Sequence, residues 1–320
     1  MSKNFSLYAL LLGVGLSTSA IAAPTNNATN SNSGADVKNA EKTPKAGNAI
    51  AIKNGATLAF LGDSITAFGL SKPDGYIHLV TNGLSSCGIQ VTPIGAGVGG
   101  NTSHDMLGRI SPSVIARKPD WVTISCGVND VWHASNGGVP LDIYKTNMTS
   151  IVDQCQAAGI KVMILTATMI HEDQTNSFNQ QLIPYNEFLR TLAKEKHCLL
   201  ADLNAQEQAI LKLPGAPVIN PTNPLRINRL TTDGVHMNPF GNQMMASGIL
   251  RAFGLTDAQL QVAKENWNDM PHIVDVGMIS ISPKQYKDLE VVAAKHHQSM
   301  TELLKQPLAE AADDLLQKVH

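Results

Sequence analysis

The segment Thr57-Leu58-Ala59-Phe60-Leu61-Gly62-Asp63-Ser64-Ile65 decides the fold of this chain. Residues 58–61 are apolar without the alternation of a half-exposed strand, which predicts a strand buried on both faces of a sheet. Gly62 ends this run, and we expect a turn into a helix around Ser64. A buried strand that turns directly into a helix is typical of proteins with a parallel sheet.

The same order of elements repeats along the chain. Further short apolar runs alternate with stretches of helical spacing, and this alternation predicts a parallel sheet covered by helices on both faces. With right-handed crossovers the result is a three-layer α/β/α sandwich. The later apolar runs are at 91–94, 121–126, 160–165 and 198–201, and the helical patterns are at 76–84, 105–116, 141–157, 179–196 and 239–254.

The N-terminus has the features of an export signal. Lys3 precedes the apolar run 7–16 and the small-residue sequence Ala20-Ile21-Ala22. We therefore expect cleavage after about Ala22 and a secreted or periplasmic protein. An uncleaved anchor is the alternative, but the run is too short to span a bilayer stably, so no stable membrane insertion is expected.

These patterns divide the chain into four parts. Residues 1–22 are the predicted signal peptide, 23–50 a flexible linker, 51–255 the sandwich domain and 256–320 a mostly helical C-terminal extension. We expect the extension to pack on the core or to form an oligomer contact, without a separate catalytic role. The oligomeric state is left open.

The composition limits the classes of partner. Of 320 residues, 43% are apolar and 16% are charged, which favours a packed core over disorder. The 24 Lys and Arg residues against 26 Asp and Glu residues give a net charge of −2, so nucleic acid is not an expected partner. The four cysteines fit no zinc-ligand spacing, and their disulfide pairing is left open; they are Cys87, Cys126, Cys155 and Cys198.

Chemistry-bearing residues follow three of the predicted strands, at the edge where parallel α/β sheets bind ligands. Ser64 follows the first strand and is either a nucleophile that needs a base or a helix N-cap. The glycine-rich segment 95–102 follows the second strand, lacks the end of a phosphate-binding loop, and suits an oxyanion donor. Asn129 follows the third strand, where its amide is either an oxyanion donor or part of a turn.

A candidate base lies just before the last predicted helix. In Asp233-Gly234-Val235-His236 the spacing lets the carboxylate reach the imidazole Nδ1, which leaves Nε2 free to accept a proton from a serine. Alone, this pattern is common in surface turns. It gains weight in a chain that already places Ser64, glycines and Asn129 at successive strand ends.

These four segments, in this order, resemble the SGNH (GDSL-type) hydrolase family of esterases and lipases. The resemblance covers the sandwich domain and implies a flavodoxin-like sheet with no metal or other cofactor. It implies that Ser64 is the nucleophile, His236 the base and Asp233 the acid that orients it. It further implies an oxyanion hole made of the Ser64 and Gly100 N–H groups and the Asn129 side chain.

Other residues near these segments are weaker candidates. For the glycine position, Gly99 is the alternative alignment. Trp132 and His133 either line the substrate pocket or pack on their own loop, and a tryptophan face suits sugar stacking. Residues 171–173 are either a metal site or, as we favour, a solvated loop. Asp63 is expected to brace the turn before the serine.

We therefore expect an exported serine esterase that hydrolyses O-acetyl or other short-chain acyl esters. The resemblance to bacterial carbohydrate-esterase-like members favours esters on sugars, whether small molecules or polysaccharides. The alternative within enzymes is a lysophospholipase or acyl-thioesterase of the same family. The alternative outside enzymes is a catalytically silent carbohydrate-binding module on the same scaffold.

Overall fold

The parallel sheet expected from the apolar runs is present. The computed structural model describes residues 49–133, 138–213, 228–271 and 282–319, so the predicted signal peptide and nearly all of the predicted linker lie outside the described residues. The five strands of the sheet are β1 (Thr57–Gly62), β2 (Thr92–Gly97), β3 (Trp121–Ser125), β4 (Lys161–Leu165) and β5 (Leu199–Ala201). All neighbours are parallel, and the order across the sheet is β2-β1-β3-β4-β5.

Helices follow the strands, and most lie where the spacing predicts them. Two are not predicted: a five-residue helix that carries Asn129 and Trp132, and a helix after the last strand. The turn considered for Asn129 is therefore wrong, and Trp132 lies on this helix rather than on a loop. The sequence gives no sign of the helix, because five residues are too few to show a helical period. In chain order the helices of the described residues are α1 (Ser64–Ser71), α2 (Tyr76–Ser85), α3 (Ser103–Ser113), α4 (Val128–Trp132), α5 (Leu141–Ala157), α6 (Ser177–Glu195), α7 (Leu203–Leu211), α8 (Pro239–Phe253), α9 (Asp257–Asn268), α10 (Pro283–Lys295) and α11 (Met300–Val319), with a 3₁₀ turn at Ile115–Arg117.

The three central strands, β1, β3 and β4, are buried because helices cover both faces of the sheet. Every residue of β3 is buried, and in β1 only Thr57 is partly exposed. The steps from β1 to β2 and from β2 to β3 run in opposite directions, so right-handed crossovers put their helices on opposite faces. Accordingly, α2 packs against α8 and α9, while α3 packs against α5 and α5 packs against α6. The predicted three-layer sandwich is confirmed.

The strand order creates a crevice at one edge of the sheet. The chain passes from β1 to β2 on one side of β1 and then crosses to β3 on the other side, so β1 lies between β2 and β3. At such a switch point the loops beyond the carboxyl ends of the strands diverge, and ligands bind between them. The segments that follow β1, β2 and β3 carry Ser64, Gly100 and Asn129, so the topology brings these three residues to one place.

The helical extension begins with a helix that belongs to the packed body. In α9, Trp267 is buried and its indole N–H donates to the Leu79 carbonyl of α2 at 3.1 Å. The next helices, α10 and α11, contact each other and leave the apolar side chains of Val291, Leu315 and Leu316 exposed. Packing on the core is therefore observed for α9. Within the described ranges, no helix is both long enough and apolar enough to cross a membrane.

The cysteines, whose pairing the sequence leaves open, are free thiols. Cys126 and Cys155 are buried, and Cys87 and Cys198 are partly buried. Burial raises the pKa of all four thiols, for Cys155 to about 12 and for Cys198 to about 11. The reactive thiolate form is therefore suppressed at neutral pH.

Candidate active site

Ser64 is the first residue of α1 and lies directly beyond the sheet. Asp63 caps this helix, since its Oδ1 accepts a hydrogen bond from Ile65 N–H at 2.9 Å. A cap of this kind contributes about 1 kcal/mol and fixes where the helix begins. The expectation that Asp63 braces the turn is confirmed, and the N-cap interpretation of Ser64 is wrong. The Ser64 hydroxyl remains available to other partners.

Asp233 and His236 lie in the loop before α8, where the aspartate fixes the local backbone. Its Oδ1 accepts hydrogen bonds from Val235 N–H at 2.9 Å and His236 N–H at 2.8 Å. Its other oxygen, Oδ2, lies 2.6 Å from His236 Nδ1. The loop also closes through Thr232 N–H, which donates to the His236 carbonyl at 2.8 Å. One carboxylate thus sets both the backbone and the ring orientation of His236.

His236 reaches Ser64, although the two residues are 172 positions apart. The distance from Nε2 to Ser64 Oγ is 2.9 Å, and the His236 side chain is 20% exposed. Phe68, one turn along α1, packs beside the imidazole with 4.8 Å between the ring centroids. Because Nδ1 faces the carboxylate of Asp233, Nε2 is the ring atom that can accept a proton from the serine.

The two carboxylates near His236 have pKa values shifted in opposite directions. Burial by itself would raise the pKa of Asp233. Hydrogen bonds from the His236 ring and from the N–H groups of His236 and Val235 together have the larger effect, so the pKa lies below its ordinary value. For Asp63, desolvation dominates and raises the pKa to about 6, although the hydrogen bond from Ile65 N–H lowers it. Asp233 is therefore firmly ionised at neutral pH, whereas Asp63 begins to take up a proton in mild acid.

The loop after β2 lies against the start of α1. Val98 N–H donates to the Gly62 carbonyl at 3.0 Å, and a Cβ on Gly99 would approach Ser64 Cβ to 3.9 Å. Gly100 has a φ of +75°, in the left-handed region that favours glycine, although a Cβ there would meet no atom within 4 Å. Of the two aligned glycines, Gly100 is the one whose backbone conformation favours this residue type.

Asn129 is buried in the first turn of α4 and faces the same two loops. Its Nδ2 donates to the Asn101 carbonyl at 3.1 Å and lies 3.4 Å from Asp63 Oδ2. The amide thus stands between the turn that carries Ser64 and the loop that carries Gly100. Both N–H groups of the amide are used in these two contacts, so donation to a negatively charged oxygen bound beside the serine replaces one of them, the longer one to Asp63.

Arg109 joins these loops as well, and the sequence analysis missed it. From α3, its Nε donates to Asn101 Oδ1 at 2.6 Å, and its Nη2 donates to the Gly62 carbonyl at 2.9 Å. A planar guanidinium can hold two acceptors in fixed geometry, which the point charge of a lysine cannot. No local pattern singles out Arg109, because the Gly62 carbonyl becomes its neighbour only in the folded chain.

The loop after β4 supports the loop that carries Asp233 and His236. His171 N–H donates to the Gly234 carbonyl at 2.7 Å, and the Glu172 carboxylate accepts hydrogen bonds from the N–H groups of residues 229–231. The expectation of a solvated loop at residues 171–173 is wrong for Glu172, which is buried. Its partners come from a segment almost sixty positions later, so the local sequence gives no sign of its burial. No three His, Cys, Asp or Glu side chains among the described residues form a metal-binding group.

Gly234 fits this contact because it has no side chain. Its φ is +100°, and a Cβ there would lie 2.6 Å from His171 Nδ1. Both the backbone conformation and the close approach therefore require glycine between the aspartate and the histidine.

A second buried carboxyl group lies under the loop after β4. Glu207, on α7, accepts a hydrogen bond from Met169 N–H at 2.7 Å and is completely buried. Desolvation raises its pKa to about 8, with a further contribution from the negative charge of Glu172, although the Met169 N–H lowers it. Glu207 therefore carries a proton at neutral pH.

Trp132 and His133 lie at the end of α4, beside the loop after β4. Their rings are stacked with 5.5 Å between centroids, and the Trp132 ring stands edge-on to His171 at 6.0 Å. Trp132 is partly buried against the core. The structure therefore brings Trp132 close to a residue that contacts the loop of His236, and a role in substrate binding stays a prediction.

The fold and the loops at its carboxyl edge define an ester hydrolase of the three-layer α/β class. The chain belongs to the GDSL-like lipase/acylhydrolase family, whose model matches residues 60–244. The predicted family and enzyme class are thereby confirmed: the protein is a carboxylic ester hydrolase.

The chain is similar to enzymes that act on acetylated xylan. An acetylxylan esterase of Geobacillus stearothermophilus is 29% identical over 225 residues, which are 63% of this chain and 96% of that protein. The crystal structure of Axe2, an acetylxylan esterase of the same organism, matches with a TM-score of 0.56 at 27% identity and covers 64% of this chain and 97% of its own. The crystal structure of AlAXEase, an acetyl xylan esterase, matches with a TM-score of 0.54 at 34% identity. The match covers 61% of this chain and 98% of that chain.

Three of the matched structures are catalytic mutants of Axe2. One mutant replaces a serine by alanine, one an aspartate and one a histidine. The aspartate and the histidine are three positions apart in that enzyme. Asp233 and His236 have the same spacing in this chain.

Proposed function

We propose that this protein is a serine esterase in which Ser64 is the nucleophile, His236 the general base and Asp233 the residue that orients the imidazole. The observation that carries the proposal is the series of two short contacts, 2.6 Å from Asp233 Oδ2 to His236 Nδ1 and 2.9 Å from His236 Nε2 to Ser64 Oγ. The residue types and spacing of the Axe2 catalytic mutants support it.

The reaction proceeds through an acyl-enzyme. Ser64 Oγ attacks the ester carbonyl carbon while its proton passes to His236 Nε2. The tetrahedral intermediate then collapses: the bond from carbon to the leaving oxygen breaks, and His236 gives its proton to that oxygen to release the alcohol. Water repeats the sequence with His236 as base, which frees the acid and restores Ser64.

Three donors stabilise the negative oxygen of the intermediate. Ser64 N–H lies in the first turn of α1, where backbone N–H groups have no partner within the helix and the helix dipole favours negative charge. Gly100 N–H and Asn129 Nδ2 come from the two neighbouring loops. A preorganised donor of this kind lowers the barrier by roughly 3–4 kcal/mol.

Acetyl and other short acyl esters of carbohydrates are the proposed substrates. The support comes from the relatives, which are named acetylxylan esterases. Trp132 adds to it, because an aromatic ring beside the site offers a face on which a sugar can stack.

Hydrolysis of an aryl acetate by the wild type and by Ser64→Ala tests the nucleophile. We expect kcat to fall by at least about a thousandfold in Ser64→Ala. The matched control is Ser111→Ala, an exposed serine on α3, which should leave kcat unchanged. An acyl-phosphonate should add its mass to the wild type at Ser64 only. Equal turnover by the wild type and Ser64→Ala would remove the catalytic proposal.

Chain-length profiling tests the substrate class. We expect acetylated xylo-oligosaccharides and other acetyl esters to be hydrolysed with the highest kcat/KM. A preference for long-chain acyl esters, lysophospholipids or acyl thioesters would replace the carbohydrate proposal with the lipid or thioester alternative while leaving the nucleophile in place.

Export is proposed from the N-terminal sequence. Lys3, the apolar run 7–16 and Ala20-Ile21-Ala22 support a signal peptide that is removed after about Ala22. Expression of the full chain in a bacterial host, followed by fractionation and N-terminal sequencing, should find the protein outside the cytoplasm and beginning near Ala23. Retention of Met1 in a cytoplasmic protein would overturn the proposal.

A further inference from the structure

The buried carboxylate of Glu172 collects hydrogen bonds from the segment that leads into Asp233 and His236. Its Oε2 accepts from Arg229 N–H at 2.8 Å. Its Oε1 accepts from Leu230 N–H at 2.9 Å, from Thr231 N–H at 2.7 Å and from Thr231 Oγ1 at 2.6 Å. Only 5% of Glu172 is exposed, so these donors replace the water that the carboxylate gives up. Three successive N–H groups can converge on one carboxylate only if this segment keeps one backbone conformation.

Thr231 connects Glu172 to the loop that carries His236. Its hydroxyl donates to Glu172 and accepts a hydrogen bond from Gly234 N–H at 3.2 Å. The Gly234 carbonyl in turn accepts from His171 N–H at 2.7 Å. The peptide groups on both sides of Gly234 are therefore tied to the pair His171-Glu172, one directly and one through a hydroxyl.

The backbone conformation of His171 and Glu172 indicates that the surrounding contacts hold these two residues in place. His171 has a φ of +64° and Glu172 a φ of +47°, so two successive residues other than glycine adopt the left-handed conformation. Such conformations are unfavourable and persist only where the surrounding contacts require them, which is commonest at functional sites. Here they turn the Glu172 side chain inward and aim His171 N–H at Gly234.

We propose that Glu172 is a positioning residue for catalysis: it holds the 229–236 loop so that His236 Nε2 stays within proton-transfer distance of Ser64 Oγ. The inference rests on the proposed function of Ser64 and His236. Glu172 touches neither residue, and it acts through Thr231 and Gly234.

A positioning role and a merely structural role predict different kinetics. If Glu172 only stabilises the fold, its loss lowers the melting temperature, and each folded molecule keeps its kcat. If Glu172 positions His236, folded molecules lose kcat while KM changes little, because the loop of the base moves and the oxyanion donors stay in place. The hydrogen bond between His236 Nδ1 and Asp233 gives a second readout, a far-downfield proton resonance.

The test compares Glu172→Ala, Glu172→Gln, Thr231→Val and the control Glu187→Gln. Kinetic constants for an aryl acetate are expressed per site titrated with an acyl-phosphonate, and thermal unfolding and the downfield proton spectrum are recorded for each variant. We expect kcat to fall roughly 10- to 100-fold in Glu172→Ala, with loss of the downfield resonance. Glu172→Gln should keep a higher kcat than Glu172→Ala, because the glutamine amide oxygen can still accept the three hydrogen bonds made to Oε1. Glu187 is exposed on α6, so Glu187→Gln should match the wild type.

Each result decides between the roles. If Glu172→Ala does not fold, Thr231→Val removes only the bridging hydroxyl and should still lower kcat. A wild-type kcat per titrated site in the Glu172 and Thr231 variants, whatever their melting temperatures, would overturn the positioning role alone. If Ser64→Ala turns over as fast as the wild type, the proposed function fails first, and the positioning role fails with it.

Discussion

Gly234 and His171 are in such close contact that no side chain fits between them. A Cβ on Gly234 would lie 2.6 Å from His171 Nδ1 and 3.3 Å from its Cα. Gly234 also separates the aspartate and the histidine of the proposed triad, Asp233 and His236. The shape of the loop that carries the base therefore depends on a glycine that takes no part in the chemistry.

Replacing this glycine should damage catalysis more than an ordinary left-handed glycine would. In Gly234→Ala we expect kcat for an aryl acetate to fall roughly 10- to 100-fold, because the loop must shift to relieve the clash. Gly159→Ala is the control, since its φ is +78° but a Cβ there meets no atom within 4 Å. It should lose about 1 kcal/mol of unfolding free energy and keep its kcat. Equal kcat in both variants would contradict the proposed importance of the contact.

The proposed role of Asn129 predicts a loss confined to the transition state. Asn129→Ala should lower kcat about 100- to 1000-fold with little change in KM, since the amide donates to an oxygen that is charged only after attack. Steady-state kinetics on an aryl acetate measure this. The exposed Asn268 provides the control substitution Asn268→Ala, which should leave both constants unchanged. A rise in KM with constant kcat would instead assign Asn129 to ground-state binding.

Arg109 should not be replaceable by lysine. Its guanidinium joins the Gly62 carbonyl to the Asn101 side chain, so Arg109→Lys loosens the loop of Gly100 against the turn of Ser64. We expect kcat to fall roughly tenfold or more. Arg117→Lys is the matched control, because exposed Arg117 also donates to a carbonyl, that of Gly95 at 3.2 Å, away from this site. A drop of the same size in both variants would argue against the specific role of Arg109.

Burial of Glu207 predicts a pH-dependent stability. Its pKa is about 8 in the folded protein against an ordinary value of 4.5 for a solvated glutamate, so the folded state holds an extra proton between these values. Over that window the free energy of unfolding should fall with rising pH, by at most about 1.4 kcal/mol per pH unit. Glu207→Gln removes this titration and keeps an acceptor for Met169 N–H.

Urea unfolding at several pH values tests the Glu207 prediction. Relative to the wild type, Glu207→Gln should gain stability between about pH 5 and about pH 8. Glu187→Gln, an exposed change of the same type, should run parallel to the wild type. A parallel curve for Glu207→Gln as well would mean that Glu207 is ionised in the folded protein.

The two parts of the helical extension should differ in their contribution to stability. Ending the chain after Pro271 removes α10 and α11, and we expect kcat and the melting temperature to stay near their full-length values. Ending it after Gly254 also removes Trp267 from its buried position on α2, which should cost about 3–5 kcal/mol of unfolding free energy. A large loss of stability from the first truncation would show that α10 or α11 packs on the domain.

The sheet and the main site residues are predictable from the sequence because their signals are local. Buried parallel strands appear as short apolar runs, and the chemistry of Ser64, Asn129 and the pair Asp233 and His236 is placed directly after a run or before a helix. The parallel-sheet rule then predicts that these segments meet without knowledge of any contact.

The supporting residues are not predictable in this way, because their roles depend on distant partners. Glu172 lies in the charged sequence His171-Glu172-Asp173, which is typical of a solvated loop, and only the arrival of residues 229–231 buries it. Arg109 looks like an ordinary polar residue of an amphipathic helix until the Gly62 carbonyl is placed beside it. The short helix α4 is missed for a different reason, since five residues are too few for a helical period.

The separation of 172 positions between Ser64 and His236 bears on how the enzyme matures. Contacts of such long range slow folding, because the chain must close a large loop before they form. A nascent or proteolytically shortened chain that stops before Asp233 contains Ser64 without the proposed acid and base, Asp233 and His236. Under the proposed mechanism, ester hydrolysis begins only when the loop before α8 has docked beside Ser64, and its onset in a refolding experiment reports that late contact.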